Sequence, residues 1–439
     1  MNYLDKVETI ESSLVEDLQK LISINSVLTE FNPENEFPFG KGIQDALLYM
    51  LELGEREGFK TFNLDNYAGY IEFGEGDEEI GVLCHLDIVP IGRDWTKDPL
   101  GGEVIDGKIY GRGSNDDKGP TMAAFYAMKL LKDSGFKPNK RIRMILGTDE
   151  ETGWRGLNYY LKHEKMPTIG FAPDAEFPLI YGEKGIHMFN AVGKDTEVEY
   201  FNSGARYNMV PDNAECRLGI DLEKEFLAYI KEYNIEGTFE NGKYKVIGKS
   251  AHAMDPTKGV NACTLLCEFL DQHIESEFVK TALLFDKDGT KLGINYEDEE
   301  MGLLTMNLGF AKLQDGEYTI GVNNRVPQGW DMFDKQEKLV NEVSTYVNVE
   351  YIPVHYVSKE DELVKTLMES YVKYTNDTVN QPITIGGGTY ARALDKAVAF
   401  GPLMPGREEV AHQKDEYMFL DDLFKATAIY ADALHNLAK

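Results

Sequence analysis

Apolar residues recur at helical spacing in two early stretches, about Ile10–Ile24 and Gly42–Gly58, and predict amphipathic helices. The pattern then shortens. Tyr67–Phe73 reads as a strand, and Ile80-Gly81-Val82-Leu83-Cys84 is the continuous apolar run of a strand covered on both faces. Gly119–Leu131 is helical, Arg141–Leu146 a strand, Trp154–His163 a helix and Ile169–Ala172 a further strand. This alternation predicts an α/β domain with a mostly parallel sheet and helices on both faces. After about Gly185 the texture changes. Strand-like segments at His187–Val192, Tyr244–Ile247, Met306–Phe310 and Tyr318–Val322 mix with helices near Glu223–Glu232 and Gly259–Phe269, the look of an α+β domain. Asn241-Gly242, Asp288-Gly289 and Asp315-Gly316 predict hairpin turns. A helix returns near Glu360–Tyr374, and another closes the chain from Leu420 to Leu437.

A chain of 439 residues has room for two or three domains, each with its own core. Against 45 Lys+Arg it carries 75 Asp+Glu, a formal net charge of −30, which disfavours nucleic acid and anionic membrane as partners because both select for basic residues. Solubility explains such a surplus, and so does a carboxylate cluster serving a cation; composition does not choose between them. The four cysteines make no C-x-x-C pair, and Cys263 and Cys267 sit four apart in an apolar helical stretch, so buried free thiols are expected. The acidic start of the chain does not read as a signal peptide, and no run approaches the roughly 20 apolar residues of a membrane span. A cytoplasmic protein is expected.

Four short segments place metal-binding or acidic residues just past predicted strand ends or in a neighbouring loop. They are His85-Leu86-Asp87, Asn115-Asp116-Asp117-Lys118-Gly119, Asp149-Glu150-Glu151-Thr152-Gly153 and Asp174. Each alone reads as a surface turn, a solvated charge run or a helix cap. Together they change the picture, because ligands of open α/β sheets bind outside the carboxyl ends of the strands. Carboxylates converging there would repel one another unless a cation sat among them. One divalent metal, or two, is the economical expectation.

These segments, with Gly113-x-x-Asp116-x-Lys118-Gly119 and a late His412, resemble the metallopeptidase family M20. Gly111-Arg112-Gly113, Pro173-Asp174-Ala175-Glu176-Phe177-Pro178 and Gly386-Gly387-Gly388-Thr389-Tyr390-Ala391-Arg392 narrow the resemblance to its bacterial PepV-like and carnosinase-like dipeptidases. The resemblance implies two divalent ions per chain, zinc first, with manganese or cobalt as alternatives. His85, Asp116, Glu151, Asp174 and His412 would be the ligands, with Asp116 shared. Asp87 would hold the far ring nitrogen of His85, and Glu150 would be the general base toward a water held between the metals. Neighbouring residues of an extended segment face opposite sides, so one glutamate can bind metal while the other meets substrate. Spacing alone leaves open which is which, and likewise Asp116 against Asp117.

The same resemblance assigns His252, in Ser250-Ala251-His252-Ala253, to the oxyanion. Asn208 is assigned to substrate contact and Arg325 to the substrate carboxylate, which a planar guanidinium suits. On the residues alone, His252 reads as a loop histidine and Arg325 as a surface arginine. The glycine run lacks the lysine and spacing of a phosphate cradle, so Gly387, Gly388 and Thr389 are expected as a loop close to substrate. His412 must reach a site otherwise built before residue 175, so the chain has to return. A catalytic domain over 1–184 and 382–439 is therefore expected around an inserted lid over 185–381. The implied activity is hydrolysis of short unblocked peptides by a monomer. The alternative within the family is an N-acyl amino acid or N-succinyl-diaminopimelate deacylase.

Overall fold

The computed structural model describes residues 2–343 and 345–439. The chain divides into two compact units, one of Met1–Tyr181, Tyr356–Ile383 and Gly388–Lys439, the other of Gly182–His355 and Thr384–Gly387.

At the centre of the first unit lies the strand Glu79–His85, buried at every position. Arg141–Gly147 and Ile169–Ala172 run parallel to it on either side, and Ala397–Ala399 runs parallel beyond the latter. Its continuous apolar run is explained by two cores. Val82 and Cys84 join Met144, Leu146, Phe125 and Ile429 on one face. Leu83 and Ile145 join Leu157, Tyr160 and Leu394 on the other. Helices cover both faces, as expected: Lys118–Asp133 and Leu420–Ala438 lie in the larger core, and Arg155–His163 lies in the smaller. The sheet is mixed rather than mostly parallel. Ala68–Phe73 is antiparallel to Arg141–Gly147, Lys60–Leu64 is antiparallel to Ala68–Phe73, and Ala399 pairs antiparallel with Ile180 at the other side. Tyr67–Phe73 reads as a strand in sequence, but its direction is set by the short turn that joins it to Lys60–Leu64, which folds straight back.

The inserted segment also ends earlier than residue 381. Residues 356–383 belong to the first unit, because the helix Glu362–Thr375 buries Leu363, Leu367 and Tyr371 in the core that holds Leu434. Ser370 Oγ and Lys373 Nζ donate to Asp432 across that contact, at 3.1 and 2.5 Å. The sequence shows a helix near Glu360–Tyr374, and the structure caps it with Asp361 and ends it at Asn376, but an amphipathic face does not name its partner.

The second unit is an eight-stranded antiparallel sheet packed with helices. Its strand order is Glu236–Glu240, Lys243–Ile247, Asn213–Leu218, Val198–Gly204, Thr305–Gln314, Glu317–Val326, Gly185–Lys194 and Tyr346–Ile352. Helices Ala262–Asp271 and Glu277–Leu284 start at the caps Asn261 and Ser276, and their Leu266, Phe269 and Phe278 share a core with Phe201 and Val246. Asn241-Gly242 and Asp315-Gly316 are two-residue hairpin turns with both residues at positive φ. Asp288-Gly289 makes a turn with no hairpin around it. The chain there leaves a helix rather than a strand, and Asp288 Oδ1 accepts the Thr290 N–H at 3.0 Å. Among the described residues no helix is long and apolar enough to cross a membrane.

Candidate metal centre

Three parallel strands of the first unit end side by side, and each delivers a part of the centre. Glu79–His85 ends on His85, which is 1% exposed and sits in register with Gly147, where the neighbouring strand ends. The next turn carries Asp149, Glu150 and Glu151, and Asp174 follows Ile169–Ala172. The fourth part is the loop before Lys118–Asp133. Here the two aspartates diverge. Asp116 Oδ1 lies 3.0 Å from His85 Nε2 and its Oδ2 2.9 Å from His412 Nε2. Asp117 turns inward, and its Oδ2 accepts the His85 N–H and the Thr121 hydroxyl, each at 3.0 Å. Gly119 is required beside them, since a Cβ there would fall 2.0 Å from the Ser114 carbonyl oxygen. Lys118 is buried too; its Nζ donates to the Leu21 and Ile24 carbonyls at 3.0 and 2.6 Å.

Two groups of potential ligands result, each with donor atoms within 4.8 Å of one another: His85, Asp116 and Asp174, and Asp116, Glu151 and His412. Asp116 belongs to both. His85 Nε2 is 3.5 Å from Asp174 Oδ2, and His412 Nε2 is 3.0 Å from Glu151 Oε1. Glu150 lies outside both groups. Of the two adjacent glutamates, Glu151 is the one that faces His412.

The electrostatics describe a place short of positive charge. Burial first, and then the charge of Asp116, pushes the Asp174 carboxyl up. The same two causes push Glu151 up to about 7. Burial pushes Glu150 well above the usual carboxylate range, with Asp174 and Glu151 adding to it against the pull of His85. Against the push of burial, hydrogen bonds from His412 and His85 hold Asp116 far below that range. The imidazoles respond in kind: His412 is pushed up to about 11 by its bonds to Asp116 and Glu151. The upward shift of both histidines and of three of the carboxylates marks a site whose negative charge calls for a cation. Two imidazole nitrogens with carboxylate oxygens, one carboxylate common to both groups, form a donor set that fits a pair of divalent ions of the zinc, manganese or cobalt kind.

Asp87 stands at the far ring nitrogen of His85 with both its main chain and its carboxylate. The His85 Nδ1 meets the Asp87 main-chain carbonyl at 3.0 Å, and the carboxylate is farther off at 3.6 Å. That carboxylate also accepts two backbone N–H groups, from Glu150 at 3.0 Å and Glu151 at 3.1 Å. One buried side chain thus sets the turn that presents both glutamates. Asp149 is also buried, and it accepts from the Arg155 side chain and main chain at 2.6 to 3.0 Å, closing the turn from the other side. The helix-cap reading of this acid run is the sequence signal for it, since Asp149 accepts the N–H of the first residue of Arg155–His163.

Gly388 and Thr389 lie in the first unit. A Cβ on Gly388 would meet Arg392 Nε at 2.8 Å, and the Thr389 hydroxyl accepts the Ala391 N–H at 3.2 Å, capping a short helical turn. His252, Asn208, Arg325 and Gly387 belong to the second unit. There the Asn208 carbonyl accepts the Ala253 N–H at 2.9 Å, and Met209 bridges to His252, so both exposed side chains sit on neighbouring strands of chain. Arg325 lies in the strand Glu317–Val326 and is 4% exposed, not on a surface loop. Its Nε donates to Asn323 Oδ1 and its Nη1 to the Gly386 carbonyl, each at 2.9 Å. Gly386 in turn packs on Met254, two residues from His252.

The profile of Peptidase family M20/M25/M40 matches residues 81–436. The chain is 44% identical to "Putative dipeptidase YtjP" of Bacillus subtilis (strain 168), with all of both chains covered. It is 41% identical to "Putative dipeptidase MW1694" of Staphylococcus aureus (strain MW2), over 99% of this chain and 98% of that one. Among solved structures, human carnosine dipeptidase 1 superposes with a TM-score of 0.62 at 14% identity, covering 100% of this chain and 99% of that one. The M20 family metallo-carboxypeptidase Sso-CP2 from Sulfolobus solfataricus superposes with a TM-score of 0.60 at 18% identity, covering 96% and 98%. At these identities the two structures establish a shared fold alone.

Proposed function

The chain belongs to peptidase family M20/M25/M40, and from that membership and its site we propose a metal-dependent dipeptidase that hydrolyses short peptides with free ends. The observation that carries the reading is the pair of ligand groups sharing Asp116, with Glu150 beside them and in neither. His85, Asp116 and Asp174 would hold one divalent ion, and Asp116, Glu151 and His412 the other. Such ions, when bound, polarise a peptide carbonyl and make hydroxide available near neutral pH.

The rest falls to side chains. Glu150 takes a proton from the attacking water and returns it to the leaving amine; the burial that raises its carboxyl suits a group that must both accept and release a proton. Asp87 keeps Glu150 aimed through its backbone N–H. His252 donates to the oxygen that gains charge, a role worth roughly 3–4 kcal/mol in other enzymes. Arg325 reads the substrate's terminal carboxylate, with Asn208, Gly387, Gly388 and Thr389 completing the contacts. The chain acts as a monomer in the cytoplasm, a compartment its four free, buried cysteines support.

Turnover of a panel of free dipeptides beside N-acylated amino acids, including N-succinyl-diaminopimelate, tests this. Unblocked dipeptides should be cleaved, with activity lost to EDTA and restored by zinc, manganese or cobalt. Preference for the acylated substrates overturns the reading in favour of a deacylase.

A further inference from the structure

Glu416 stands four residues beyond His412 and is fully buried, yet it is in neither ligand group. Its Oε1 accepts the backbone N–H groups of Asn115 at 2.9 Å, Gly113 at 3.0 Å and Asp116 at 3.3 Å. Its Oε2 receives Arg112 Nη1 at 2.5 Å, and its main-chain carbonyl accepts the Gly111 N–H at 2.9 Å. A single residue therefore gathers the whole 111–116 loop. Arg112 is itself anchored, with Nη2 donating to the Ile91 carbonyl at 3.3 Å and its guanidinium over the Trp95 ring at 5.1 Å.

The neighbouring Asp415 makes a second attachment. Its carboxylate accepts the Thr96 and Lys97 N–H groups at 2.7 and 3.2 Å and the Thr96 hydroxyl at 3.0 Å. Between these anchors and Val410, His412 holds φ at +63° and Asp415 at +54°. Residues other than glycine keep such conformations where their surroundings hold them. Placing a carboxylate in a buried site is costly unless it is paired, and here burial pushes Glu416 up to about 7. What that charge achieves is a closed circuit. Glu416 binds the main chain of Asp116, Asp116 meets His412, and the chain from His412 leads back to Glu416.

We propose that Glu416, oriented by Arg112, is a positioning residue that holds Asp116 and His412 in reach of one cation. It touches no substrate and no ion; it acts through the backbone of one ligand and the chain segment of another. The inference rests on the metal-dependent reading above and adds a residue to it. Groups that orient metal ligands from behind change affinity by about 10–100-fold when lost.

The test is a Co2+ titration of the full-length, metal-free chain followed by visible absorption, with Zn2+ affinity measured in competition with a chelator. The wild type should take up two equivalents. Glu416→Gln should bind one of them about 10–100-fold more weakly, while melting of the metal-free chain stays within a few degrees of wild type. Arg112→Lys, which keeps the charge but loses the planar fork, should show a smaller loss at the same equivalent, and it decides the matter if Glu416→Gln does not fold. Wild-type affinity for both equivalents in a folded variant overturns the proposal alone. So does an equal weakening of both equivalents that follows a lowered metal-free melting temperature, which is the mark of a merely structural role. A wild type that takes up no metal overturns the metal-dependent reading, and the proposal with it.

Discussion

His85 in the first unit and His187 in the second are both buried, yet their surroundings favour opposite protonation states. Against the pull of burial, bonds to Asp116 and Asp174 push the His85 imidazole well up. His187 is stacked on Phe189 and packed against the tilted rings of Trp330 and Tyr346, its Nε2 meets the Tyr346 hydroxyl at 2.9 Å, and burial pushes it down to about 4. Depth is the same and partner charge differs. The first unit buries carboxylates and imidazoles together at strand ends, a composition that calls for cations. The second buries neutral polar groups such as His187, Asn323 and Asn324, whose hydrogen bonds organise a sheet.

The largest expected effect tests the charged side of this contrast. Glu150→Ala should keep two equivalents of metal and lose about 10²–10⁴-fold in turnover, the span of a general base. Metal analysis beside dipeptide kinetics checks it, and retained turnover in a metal-replete variant would remove Glu150 from its role.

The neutral side is tested by acid. An unfolded chain protonates His187 near 6.5, whereas the folded unit resists until about 4. As pH falls through 6.5 the unfolded state binds a proton that the folded state refuses, so stability present above 6.5 is lost progressively down to 4. The loss reaches about 3 kcal/mol. Thermal unfolding of wild type against His187→Gln over this window should show the steeper decline in wild type, and parallel curves would break the contrast.

Arg325 is a buried charge of the second unit, 4% exposed. Arg325→Ala should raise KM for dipeptides about 10–100-fold with little change in kcat, consistent with losing a charged hydrogen bond of about 1.5–3 kcal/mol. An equal fall in kcat and kcat/KM would move its role from substrate binding to the transition state. The smallest effect belongs to the surface. Lys41 and Asp45 pair at 2.6 Å with both side chains exposed, and Lys41→Ala should change stability by less than about 0.5 kcal/mol. A larger change in a denaturant melt would show that exposed pairs matter here as much as buried ones.

Much of this was legible in advance. The Ile80–Cys84 run marked a strand covered on both faces, and the acids after strand ends marked a shared edge. Arg141–Gly147 was legible as a strand too, but not the antiparallel neighbour on its far side, because pairing direction depends on a turn rather than on apolar pattern. Glu362–Thr375 was legible as a helix and not as part of the first unit, because its apolar stripe would fit any core of matching shape. Glu416 gave no sign at all: one acid in an acidic chain is silent until the amides it gathers are known.

The sequence by itself determined the kinds of donor available, their placement at strand ends, and the need for the chain to return with His412. Only the tertiary structure decided that Asp116 faces the imidazoles while Asp117 turns inward, that Glu151 meets His412, and that the Asp87 carboxylate grips the backbone of both glutamates. The reason is physical. Residue type sets what a group can bind, but the direction of a buried carboxylate follows from which N–H groups and imidazoles lie within about 3 Å of it, and distant parts of the chain supply those.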